Sequence, residues 1–176
     1  ALRYSPRVFA WASSLTDAVE LTAYSASTCA RKTSGAVVCW GGNGYGQLGD
    51  GTATASPIPI AVSNLTDAAQ VAMGTTHTCA RKTSGAIVCW GGNSNGQLGD
   101  GTIKAHATPE VVPGLTNVTL TAYAVSVCGL TAAGGLYCWG SNYSGQFGNG
   151  NGFGSLKPTV ITGWPGSRPA VRLGIA

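Results

Sequence analysis

The stretch CARKTSGAVVCWGGNGYGQLGDGT at residues 29–52 returns at 79–102 as CARKTSGAIVCWGGNSNGQLGDGT, with three of twenty-four positions changed. A more diverged third copy, CGLTAAGGLYCWGSNYSGQFGNG, runs from Cys128 to Gly150 and keeps the cysteines, the tryptophan and the glycines. Leu15-Thr16-Asp17, Leu65-Thr66-Asp67 and Leu115-Thr116-Asn117 mark one phase of this repeat, which has a period of 50 residues, or 49 where one is missing. A period of this size restricts the chain to solenoids or propellers, whose units bury an apolar face only by packing on neighbouring copies. The 27 glycines are scattered between short apolar runs, which favours many tight turns over a few long helices, and hence an all-β chain.

Each copy reads as four short strands. The first is AVELTAYS, matched by AAQVAMGT and VTLTAYAV; the second is TCARK and the third AVVCWG. The fourth follows a glycine-rich loop and reads SPIPIAV, ATPEVVP or KPTVIT. Its prolines, which cannot donate to a ladder, place it at a sheet edge. The expected units are a first at 17–66, a second at 67–116 and a third at 117–169. Residues 1–16, containing SPRVFAW, resemble a fourth strand without its first three, and 170–176, AVRLGIA, a first strand without the rest. With no initiator Met and no signal-peptide pattern at ALRYSPRVFA, the chain reads as a mature or trimmed piece of a longer array.

Six cysteines form three pairs, Cys29/Cys39, Cys79/Cys89 and Cys128/Cys138. If Thr33-Ser34-Gly35 is a three-residue hairpin loop ending in a left-handed glycine, Lys32 faces Ala36 and Cys29 faces Cys39. Loops at Thr83-Ser84-Gly85 and Ala132-Ala133-Gly134 give the other two pairs the same register. Directly opposed residues in a non-hydrogen-bonded antiparallel pair lie about 4.5 Å apart at Cα, at the short end of disulfide range. Three disulfides are therefore expected, each contributing about 2–3 kcal/mol. Zinc sites space paired cysteines more closely, and catalytic cysteines do not come in identical triplicate. Persistent disulfides imply an oxidising compartment, so the expected location is extracellular or the cell surface. Sequons at Asn64, Asn117 and Asn142 are compatible with that location without being evidence for it.

Other function classes find little support. Ten basic against six acidic residues give a net charge of +4 with no basic run, which argues against nucleic-acid binding. No apolar stretch is long enough to span a membrane. His77 and His106 do not recur at matching positions and read as surface or inter-strand residues, and the acidic residues form no catalytic pair. The Gly-Asp-Gly loops hold one carboxylate each, too few for calcium, and lack a following Gly-Lys-Ser/Thr, so they read as structural turns. No catalytic residue, metal or cofactor is expected.

CWGGNGYGQLGDGT, CWGGNSNGQLGDGT and CWGSNYSGQFGNG share a Trp-Gly pair, an Asn, then Gly-Gln-Leu/Phe-Gly and a further Gly. At a period near fifty, this resembles the repeat of the regulator-of-chromosome-condensation family. The resemblance implies a β-propeller, usually of seven blades, with one four-stranded blade per repeat. Three repeats are too few for such a ring. The paired cysteines depart from the nuclear exchange factor that names the family and are similar to secreted bacterial members. Guanine-nucleotide exchange is the activity the family analogy adds, and the cysteines argue against its nuclear or cytosolic setting.

Trp40, Trp90 and Trp139 occupy one repeated position and are expected to fill gaps between blades; Trp11 and Trp164 also read as packing residues. Variable loops on a rigid repeated frame are the expected partner-binding surface, at Tyr45, Asn95, Tyr143 and Phe153. Arg31 and Arg81 add a candidate basic stripe toward an acidic partner. The expected function is non-catalytic protein binding, with self-association of exposed blade faces into an extracellular assembly as the alternative.

Overall fold

The computed structural model describes residues 15–162; the expected end strands at 5–11 and 170–176, with Trp11 and Trp164, lie outside them. The first sheet holds β1 (Ala18–Tyr24), β2 (Ser27–Lys32), β3 (Val37–Gly41) and β4 (Ser56–Ala61). The second holds β5 (Ala68–Met73), β6 (His77–Lys82), β7 (Ala86–Gly91) and β8 (His106–Thr116). The third holds β9 (Val118–Tyr123), β10 (Ser126–Thr131), β11 (Leu136–Gly140) and β12 (Ser155–Val160). Each is a four-stranded antiparallel meander in chain order, with the proline-bearing fourth strand at one edge. β8 runs on to Thr116 and pairs there with Ala86, so it is longer than the sequence pattern suggests.

The cysteine register follows from the turn. Lys32 N donates to Ala36 O across Thr33-Ser34-Gly35, and the ladder then opposes Cys29 to Cys39. Cys79 faces Cys89 and Cys128 faces Cys138 in the same way. All three pairs are disulfides, each with a Cα separation of 4.1 Å.

The core lies between the sheets, because a single sheet of this size has no second layer of its own. Cys29, Val37, Cys39 and Leu48 of the first blade pack with Val71, Ala80, Val88 and Trp90 of the second. Cys79, Ile87, Cys89 and Leu98 of the second pack with Val118, Leu120, Val127 and Trp139 of the third. Successive blades meet chiefly through their first two strands, β5 on β1 and β2, and β9 on β5 and β6. They therefore fan out from the first-strand side.

Among the described residues, the two outer faces are less covered than the inner ones. Leu21 is 67% exposed, whereas Val71 and Leu120, its equivalents in the second and third blades, are buried. On the other side, Tyr123, Cys128, Leu136, Cys138 and Phe147 line an apolar cavity of about 350 Å³.

Candidate functional site

The loop after the third strand is built around one buried asparagine. Asn43 Oδ1 accepts from Leu48 N at 2.9 Å, while Asn43 Nδ2 donates to the carbonyls of Thr52 and Thr54 and to Asp50 Oδ1. Asn93 makes the same set with Leu98, Thr102, Lys104 and Asp100, and Asn142 with Phe147, Asn151, Phe153 and Asn149. Burial acts to raise the Asp50 and Asp100 carboxyls, but hydrogen bonds from Thr52 and Asn43, and from Thr102, Asn93 and His106, outweigh it and hold both below the usual value. The loops are thus ordered turns held by their own polar groups. Asn142 is fully buried in this network, so its sequon is closed to modification in the folded chain, whereas Asn64 and Asn117 are exposed.

A second device ties each loop to the next blade. Trp90 Nε1 donates to the Gln47 carbonyl at 2.9 Å, and Trp139 Nε1 to the Gln97 carbonyl at 3.0 Å. Each indole lies over a glycine: a Cβ on Gly49 would sit 2.5 Å from Trp90 Nε1, and one on Gly99 2.8 Å from Trp139 Nε1. Trp90 and Trp139 fill inter-blade gaps as expected, while Trp40, with no earlier blade among the described residues, is only half-buried. The indole-to-carbonyl bond escapes sequence reasoning, because it joins residues 43 and 42 positions apart in different blades.

On this frame three aromatic side chains at positions that change between copies point outward. Tyr45 is 60% exposed, Phe153 81% and Tyr143 83%. Asn95 and Tyr143 come together with Leu156 in a cavity of about 210 Å³ across the boundary of the second and third blades. Tyr45 belongs to the corresponding loop of the first blade and is not part of that cavity.

Arg31 and Arg81 lie at the other end of the strands, beside the hairpin turns. Arg31 Nε is 2.6 Å from Glu20 Oε2, Lys32 pairs with Asp17 at 3.4 Å and Lys82 with Asp67 at 3.3 Å. Most of the basic residues beside these turns are thus neutralised within the chain. Arg81 has no ion-pair partner among the described residues.

Both histidines begin strands, His77 in β6 and His106 in β8. His106 Nε2 lies 3.1 Å from Asp100 Oδ2, at the loop end of β8. His77 is fully buried, and neither ring nitrogen has a partner among the described residues. Desolvation pushes it down from 6.5 to about 4, so it is neutral at pH 7. Among the described residues no group of three or more His, Cys, Asp or Glu could hold a metal ion, and no helix is long and apolar enough to cross a membrane.

Comparison with known proteins places this architecture. The chain superposes on human WBSCR16 with a TM-score of 0.74 at 25% identity, covering 85% of this chain and 41% of that one. Yeast RCC1 (Prp20), in a structure bound to Kap60, gives 0.70 at 18% identity over 82% of this chain and 37% of that one. Prp20p from Saccharomyces cerevisiae, described with its binding properties to Gsp1p and histones, gives 0.70 at 18% over 82% and 38%. The chain spans about two fifths of the length of these structures. A search of curated proteins finds no match. The sequence profile "Regulator of chromosome condensation (RCC1) repeat" matches residues 34–81 and 84–129, and a second profile of that repeat matches 18–47, 68–97 and 122–146. With matching repeats over more than half of its length and the fold of RCC1 structures, the chain belongs to the regulator of chromosome condensation (RCC1) repeat family.

Proposed function

We propose that the chain is a non-catalytic protein-binding part of a β-propeller that works outside the cell or on its surface. The observation that carries the reading is the contrast within the loops. Their repeated glycines and buried asparagine recur in every blade, while Tyr45, Tyr143 and Phe153 vary and face solvent, and the varying Asn95 is half-buried beside Tyr143. Exposed tyrosine and phenylalanine on an ordered frame offer large contact area at low conformational cost, as binding surfaces do. The three disulfides are compatible with an extracellular setting. The likeness to yeast RCC1, at 18% identity, carries the fold and not its partners.

The test compares the native chain with a Tyr143→Ala/Phe153→Ala double variant of equal melting temperature as baits in an extracellular fraction. A protein retained by the native chain and bound at least about tenfold more weakly by the variant supports the reading. Equal retention by both, or no retained protein, sinks it.

A second reading, self-association, is favoured by the two open faces. Gly148, the repeat equivalent of Gly49 and Gly99, has nothing within 4 Å of the place a Cβ would take, and Trp40 is half-buried. A second copy's Trp40 on Gly148 would make a heterologous, non-closing contact. Sedimentation velocity tests it: mass should rise with concentration and stay monomeric in Trp40→Ala. A native chain that is monomeric at all concentrations removes this reading.

A further inference from the structure

At the junction of the first and second blades the charges balance. Glu20 faces Arg31 across β1 and β2 and pairs with it, and Asp67 at the start of the second blade pairs with Lys82. The repeat places the same four positions at the next junction with different residues. Gln70 faces Arg81 across β5 and β6, while Asn117 stands at the position of Asp67 and Thr131 at that of Lys82. Both carboxylates have become their neutral amides, and one guanidinium has been kept.

Gln70 does not replace the lost partner. Its Nε2 donates to the Leu120 carbonyl at 2.8 Å and its Oε1 accepts from Leu120 N at 2.9 Å, so its amide is committed to the next blade. Glu20 divides its oxygens, Oε2 on Arg31 and Oε1 accepting from Val71 N. Arg81 is therefore left partly buried on the wall of a polar cavity of about 310 Å³, with Asn117, Thr119 and Thr131 opposite. Thr119 and Leu130 occupy the positions that Gln70 and Arg81 hold one blade earlier, so the third blade brings no charge to the cavity.

We propose that this cavity is a binding site for the side-chain carboxylate of an acidic residue on a protein partner. A guanidinium offers its N–H groups as a fork that fits a carboxylate, and Glu20 on Arg31 shows a carboxylate seated at the equivalent position of this frame. The amide of Asn117 and the hydroxyls of Thr119 and Thr131 add neutral hydrogen-bonding groups without a competing negative charge. The site lies at the end of the strands opposite the aromatic loops, so it stands or falls independently of the loop surface.

The test follows the arginine Nε–H signals of the full chain by NMR during titration with the blocked peptide Ac-GGEGG-NH2, its Gln counterpart Ac-GGQGG-NH2 and inorganic phosphate. The Glu peptide should shift Arg81 and leave Arg31 unmoved, and the Gln peptide should do neither. Arg81→Gln should weaken binding about tenfold or more, as loss of a charge-assisted fork does. Gln70→Glu should weaken it as much with Arg81 still present, because the new carboxylate fills the site from within. Glu20→Gln/Asp67→Asn, which gives the first junction the neutral amides of the second, should create a second site at Arg31, a gain that no loss of folding can imitate. Equal shifts of Arg31 and Arg81, unchanged binding in Gln70→Glu, no new site in Glu20→Gln/Asp67→Asn, or tighter binding of phosphate than of the Glu peptide would each overturn the proposal.

Discussion

At the scale of single residues, the second blade has exchanged a pair. Tyr24 faces Ser27 across β1 and β2 in the first blade, and Tyr123 faces Ser126 in the third. The second blade has Gly74 and His77 at these positions, and a Cβ on Gly74 would strike the imidazole. The ring has moved from the first strand to the second. In that move the hydroxyl that donates from Ser27 to Gly42 O, and from Ser126 to Ser141 O, is replaced by an imidazole without partners. A folded-state value near 4 against 6.5 unfolded means that the unfolded chain binds the extra proton between these limits. Stability from this group is therefore full above about pH 6.5, falls as pH drops towards 4, and levels off below, by on the order of 3 kcal/mol in all. His77→Phe keeps a ring and removes the proton site. Urea unfolding at pH 7 and pH 5 should show a smaller loss in the variant than in the native chain, and equal losses would refute the assignment.

The scale of the element is where the sequence speaks most clearly. The hairpin between β2 and β3 announces itself by Thr33-Ser34-Gly35, and counting outward from that turn gives the cysteine register directly. The hairpin between β1 and β2 announces nothing: its turn, Ser25-Ala26, has Ser25 at φ 55° and none of the glycine or asparagine signals such turns favour. Without that turn the opposition of Glu20 to Arg31 is not readable, and so Arg31 looks like part of a free basic stripe. The aromatic loop positions were legible because they vary against a constant background. The buried roles of Asn43, Asn93 and Asn142 were not, because an asparagine in a glycine-rich loop looks like any turn residue. Two predictions belong here. Replacing Cys79 and Cys89 by serine should lower stability by about 2–3 kcal/mol, read from chemical unfolding. Asn93→Ala should cost about 1–3 kcal/mol by stranding the Leu98 amide and the Thr102 and Lys104 carbonyls, and should leave the other two loops intact in NMR spectra.

At the scale of the molecule, stability in such an array is a sum of blade terms and interface terms. Among the described residues, the second blade is covered on both sides, and the first and third on one side each. Hydrogen exchange should therefore be slowest in β6 and β7, faster in β2 and β3, and faster again in β10 and β11, whose outer side carries only a thin cluster around Leu136, Cys138, Phe147 and Ile161. Uniform protection across the three blades would contradict this order. The repeat period predicted the stacking, but the inter-blade bonds that enforce it depend on how far one sheet turns against the next, which no local pattern encodes.

The indole of Trp90 on Gly49 and that of Trp139 on Gly99 make two interfaces with the same fastening. Their parts are interchangeable: a chain lacking residues 67–116 would bring Trp139 to Gly49 and the Gln47 carbonyl, with the same seat and the same acceptor. Near-identical coding segments of the kind implied by 29–52 and 79–102 invite unequal recombination, which adds or removes whole units. Here such an event would leave the tryptophan-on-glycine joint intact, so blade number can drift between lineages without that fastening being reinvented.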